Sequence, residues 1–152
     1  MTVWAPTMIA RWVRDAGLPE GQVIHATALA LAATHGADHY KANPTAHPVT
    51  ERQGIFALRR ADLPPDLDVD LFSPTDSATA LVGIWRAQGE RWDWHPVHLS
   101  GAALALEPMV TLMLADRNSP RGAVDVRSFR ESVSRMVQLR DAMVQAGSLD
   151  GP

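Results

Sequence analysis

The stretch Glu20-Gly21-Gln22-Val23-Ile24-His25-Ala26-Thr27-Ala28-Leu29-Ala30-Leu31-Ala32-Ala33-Thr34 decides the fold of this 152-residue chain. Val23, Ile24, Ala28, Leu31 and Ala32 recur at helical spacing, and alanine fills the gaps between them. A helix with alanine on nearly every face needs close neighbours on nearly every side. The spacing therefore predicts a central helix over 20–34. The segment on its N-terminal side, Ala5 to Ala16, predicts a second helix packed against it. Met8, Ile9, Trp12 and Val13 form its apolar stripe, while Arg11, Arg14 and Asp15 point away. Gly17 and Pro19 separate the two.

On the C-terminal side the pattern dissolves. Gly36, Asn43, Pro44 and Pro48 punctuate residues His35 to Thr50, which predicts a long loop with room for a short hairpin. The apolar run Gly54-Ile55-Phe56-Ala57-Leu58-Arg59-Arg60 follows, and Pro64-Pro65 breaks it. A third helix then starts sharply. Ser73 is placed to cap it, Pro74 takes the first turn and Asp76 puts an acid there. Ala78, Leu81, Val82 and Trp85 are its predicted buried stripe, and Gly89 ends it. Trp92, Trp94 and His95-Pro96 make an aromatic elbow. Ser100 is placed to cap a helix from Gly101, with Pro108 kinking or splitting it before Met109 to Leu114. A last helix is predicted over Asp125 to Ala146, with a seam of Val126, Phe129, Val133, Met136 and Met143, interrupted by Arg140, that suits docking on the rest of the chain or on a partner helix. Strand patterns are scarce, so the fold class is mainly α, with a domain over 1–98 and a helical extension over 99–152.

Composition narrows the function classes. The chain is 46% hydrophobic and 20% charged, which fits a packed domain and not a disordered or fibrous one. Its net charge is -3, and Lys41 is the single lysine among 14 basic residues, with no basic block. A nucleic-acid partner is not expected. Cysteine is absent, which removes disulfides, thiolate metal sites and a cysteine nucleophile. Residues 1–10 lack the basic leader and apolar core of a signal peptide, so synthesis in the cytoplasm without a signal peptide is expected. No run approaches the ~20 apolar residues that span a bilayer, so no membrane insertion is expected.

Several segments, in order, resemble the lysozyme-like and lytic-transglycosylase-like domains of phage tail proteins and actinobacterial cell-wall enzymes. Ala16-Gly17-Leu18-Pro19-Glu20 is similar to the family's first turn, and Ala28 to Gly36 to the helix that carries its catalytic acid. Gly54-Ile55-Phe56-Ala57-Leu58 resembles the family's Gly-Leu-Trp-Gln-Ile stretch. Asp70-Leu71-Phe72-Ser73-Pro74 resembles its Asp-Leu-Phe-Asp-Pro motif. Trp85-Arg86-Ala87-Gln88-Gly89, then Trp92 and Trp94, resembles its closing segment. The likeness covers about residues 10–98.

The resemblance implies a glycosidase scaffold. In the family a glutamic acid at the end of the second helix protonates the glycosidic oxygen of peptidoglycan. Here that position falls on Ala33, or on Thr34 if the alignment slips by one, and neither carries a carboxyl. The family's tryptophan and glutamine fall on Phe56 and Ala57. Glu51 is the remote substitute acid, with a solvated loop position as its ordinary reading. No catalytic residue is therefore predicted. Thr34, His35, Gln53, Phe56, Ala57, Trp92 and Trp94 are left as a vestigial groove. His35, Asp38 and His39 invite a metal reading, but the helix should end near Gly36 and no third ligand is evident, so neither a metal nor a cofactor is expected. His95 and His98 read as elbow or surface residues.

The expected function is a non-catalytic, lysozyme-like structural or interaction protein, best placed in a phage virion as a tail, baseplate or head component. Its partners would be other virion proteins or further copies of itself. The alternatives are a peptidoglycan glycan-binding module and an active muramidase or lytic transglycosylase with a non-standard acid.

Overall fold

The computed structural model describes residues 2–40, 51–116 and 122–124. The chain is mainly α. In order it forms β1 (Val3–Trp4), α1 (Pro6–Asp15), α2 (Glu20–Thr34), a 3-10 turn (Arg60–Asp62), α3 (Pro74–Ala87), α4 (Pro96–Leu99), α5 (Ala102–Ala115) and β2 (Ala123–Val124).

Helix α2 is the hub. Residues Ala26 to Ala30 are buried in succession, so the helix has hardly any solvent face over that span. Small side chains make this possible, because alanine lets neighbouring backbones approach closely. α1 lies along one side and α5 along another, with α4 touching both α2 and α5. Ile9, Ala10 and Val13 supply the buried face of α1, while Met8 and Trp12 stay at its half-buried edge. Trp12 meets Trp4 edge to face at 5.0 Å between ring centres.

Helix α3 begins where the sequence placed it, with Pro74 in the first turn. Ser73 occupies the cap position, but its hydroxyl makes no capping bond to the helix backbone. It lies 3.3 Å from the Thr75 hydroxyl instead. Asp76 turns back to accept from the Asp70 N–H at 3.2 Å, which ties the helix start to the incoming chain.

Helix α5 corrects two expectations. Gly101, at φ 80°, takes the cap position, and the Ser100 hydroxyl accepts from the Ala102 N–H at 3.3 Å. Pro108 does not split the element into two: the helix runs continuously through it. Proline withholds the bond to the carbonyl of Leu104, which lies on the exposed side where water can replace it. The opposite face, with Ala103, Met109, Val110 and Met113, is buried in the same core as α2.

The two short strands pair antiparallel, Val3 with Val124 and Trp4 with Ala123. Val3 also bridges Ala37, so the chain just past α2 returns to the N-terminus. No helix among the described residues is long and apolar enough to cross a membrane. The predicted helix over Asp125 to Ala146, with Val126, Phe129, Val133, Met136 and Met143, lies outside the described residues, as does the loop over 41–50.

Candidate functional site

The end of α2, the 53–58 turn and the aromatic elbow converge. Two successive backbone carbonyls of the turn are the meeting point. The Thr34 hydroxyl lies 2.7 Å from the Ile55 carbonyl oxygen and 3.0 Å from that of Ala30, and it accepts from the Gly36 N–H at 3.2 Å. One residue on, His95 Nε2 lies 2.9 Å from the Phe56 carbonyl oxygen.

The turn is built to offer those carbonyls. Gln53 and Leu58 exchange backbone bonds at 2.8 and 3.0 Å and close it. Gly54, at φ 79°, lets it press against Leu71: a Cβ there would sit 1.9 Å from the Leu71 carbonyl oxygen. Ala57 also holds a left-handed backbone, at φ 50°, which an alanine adopts only under constraint. The Arg52 guanidinium supplies part of that constraint by donating to the Ala57 carbonyl at 3.0 Å.

His95 is fully buried at the elbow and is not a surface residue. Its Nδ1 accepts from the Val97 N–H at 3.1 Å and so starts α4. That bond leaves the proton on Nε2, which donates to Phe56. Burial pushes the ring's pKa down to about 4, with the nearby Arg52 guanidinium adding to the effect against the Phe56 bond. The elbow continues outward through tryptophans. Trp94 meets His95 at 5.6 Å and stacks on Trp92 at 6.3 Å. Trp92 packs on Trp85 at 6.0 Å and donates its Nε1–H to Gln22 at 2.8 Å.

The residues singled out in the sequence thus fall into two groups. Thr34, Gln53, Phe56, Ala57 and Trp92 are buried, and Trp94 is half-buried beside them. His35 is exposed: it ends α2 in a left-handed conformation at φ 56°. Ala33 is half-buried on the last turn of α2. Glu51 was expected on a solvated loop, but it is only 4% exposed.

Asp38 and His39 form a separate site at the N-terminus. The Asp38 carboxylate accepts from the Thr2 N–H at 2.9 Å, Trp4 Nε1–H at 3.1 Å and His39 Nδ1 at 2.6 Å. Burial alone would raise its pKa, but these donors outweigh burial and hold it below the usual carboxylate range. His39 in turn lies flat on Phe72, 5.4 Å between ring centres. Among the described residues no group of three or more histidines and carboxylates could hold a metal ion.

A further polar cluster went unread in the sequence. His25, in the buried middle of α2, has its Nδ1 3.3 Å from Glu107 Oε1 on α5. Its Nε2 lies 3.1 Å from His98 Nδ1 on α4. Trp92 covers the ring at 5.3 Å. The available signal was His25 itself, since a titratable side chain within a mainly apolar, buried helix has to find a partner.

No family model, no curated protein and no solved structure matches this chain.

Proposed function

We propose that this chain is a non-catalytic protein of the lysozyme-like kind, working as a structural or interaction component of a phage particle. The observation that carries the non-catalytic part is the Thr34 hydroxyl on the Ile55 carbonyl. A glycosidase proton donor needs a carboxyl held against an open cleft, protonated near neutral pH. The resemblance places that donor on Ala33, which carries no carboxyl, and at Thr34, the position one residue on, a buried hydroxyl fastens the helix to the turn. His95 fastens the next carbonyl of the same turn. The convergence serves as a lock between three segments.

The virion setting rests on the likeness to phage tail domains. Mass spectrometry of particles purified from the phage that encodes the chain tests it. The expected result is a fixed number of copies per particle. Absence from the particles, with the chain free in the lysate, would contradict it.

Trp94 favours a second reading. It is half-buried at the rim of the aromatic elbow, stacked on Trp92, and the exposed part of an indole can stack on a sugar ring. In that case the chain holds peptidoglycan glycan without cutting it. Sedimentation with insoluble peptidoglycan, lost in Trp94→Ala, would support this reading over the first.

A further inference from the structure

We propose that His25 and His98, backed by Glu107, form a proton-operated latch that holds α4 on α2 at neutral pH and releases it in mild acid. Two ring nitrogens 3.1 Å apart need one proton between them. His25 Nδ1 faces Glu107 and gives its N–H to that carboxylate, so the neutral ring offers a bare Nε2. His98 Nδ1–H donates into it.

A first added proton is accommodated. On His25, the ring donates both to Glu107 and to a His98 that has moved to its other tautomer. A second added proton is not. It places N–H groups on both facing nitrogens and sets two positive rings in contact, with one carboxylate to balance them. Among the described residues the charged groups facing His25 are Glu107 from α5 and His98 from α4, while Trp92 and Gln22 bring none. Burial holds His25 below the ordinary imidazole range; Glu107 pulls it up and His98 pushes it down. Opening takes His98 away and brings the His25 ring to water, which removes both penalties on a charged His25, so protons favour the open form.

Release has a clear structural readout. Helix α4 is four residues long, too short to stand without the surfaces it rests on. Its opening exposes the amides of Val97, Leu99, Ser100 and Gly101, which are now bonded within the element. His95 sits at the start of α4 beside Arg52 and Asp62, and its pKa, lowered to about 4 by burial, also favours opening as pH falls, so the contribution of the latch is read from the difference between the wild type and His98→Asn.

Hydrogen exchange on the full chain, scaled to intrinsic rates and to the amides of α3, tests the latch. Between about pH 7.5 and about pH 5, protection at residues 97–101 should fall about tenfold relative to α3. In His98→Asn the fall should shrink to the part that His95 supplies, whatever the baseline protection. In Glu107→Gln the opening starts at higher pH, because the closed form has lost the charge that tolerates the first proton. Unchanged relative protection in the wild type would overturn the latch. So would the same fall in His98→Asn, or an onset in Glu107→Gln moved to lower pH.

Discussion

The Thr34 hydroxyl lies 2.7 Å from the Ile55 carbonyl oxygen, at the end of the helix that organises the whole core. That contact fastens a helix to a turn. Removing the hydroxyl should therefore be felt as instability. Thr34→Val leaves a buried carbonyl and the Gly36 N–H short of a partner, and should cost about 1–3 kcal/mol in denaturant unfolding.

The two neighbouring positions respond differently to a new carboxyl. Ala33 is half-buried and its side chain can reach water, so Ala33→Glu should cost about 1 kcal/mol or less. Thr34 is buried, so Thr34→Glu places an unpaired acid in the core and should cost several kcal/mol, roughly the price of desolvation. Thermal melts of the two variants side by side make the comparison. Equal losses would mean that the end of α2 is closed over both positions.

The turn itself makes opposite demands on two small residues. Gly54→Ala meets the Leu71 carbonyl oxygen and a left-handed φ, and should cost on the order of 3 kcal/mol or prevent folding. Ala57→Gly removes left-handed strain but frees the unfolded chain, for a net gain of between roughly 0 and 1 kcal/mol. Chemical denaturation midpoints at constant slope separate these outcomes.

His95 gives the fold an acid limit. Its ring is buried neutral, with its pKa lowered to about 4 by burial. The contribution is present above the unfolded histidine value of about 6.5 and is lost as pH falls from there toward 4. Over that window it amounts to ~3 kcal/mol. His95→Gln should flatten the stability profile between about pH 6.5 and 4 while lowering stability at neutral pH. An unchanged slope in the variant would assign the acid loss to other groups.

Met109 and Met113 test whether α5 is part of the core or an appendage. Both are almost wholly buried, and α5 packs along α2. Met109→Ala should destabilise the whole cooperative transition by about 2–5 kcal/mol, with α2 and α5 lost together in hydrogen exchange.

Helix α2 was legible to the residue, because its alanine content and its flanking Pro19 and Gly36 constrain it from both sides. The start of α3 was equally plain, through Ser73-Pro74. What was hidden depends on distant pairings. Nothing in the sequence near His95 says that the Phe56 carbonyl waits for it, 39 residues away. His25 and Glu107 are separated by 82 residues. Pro108 read as a breaker, yet tertiary packing of Met109, Val110 and Met113 holds the helix through it. The burial of Glu51 could not be read either, since burial of a loop acid depends on which elements fold over it.

We propose that the chain leaves glycan uncut. Incubating the full chain with purified peptidoglycan and measuring soluble muropeptides by mass spectrometry tests it most directly. We expect no release above the buffer control. Release that disappears in Glu51→Gln would contradict it and make the buried Glu51 the proton donor.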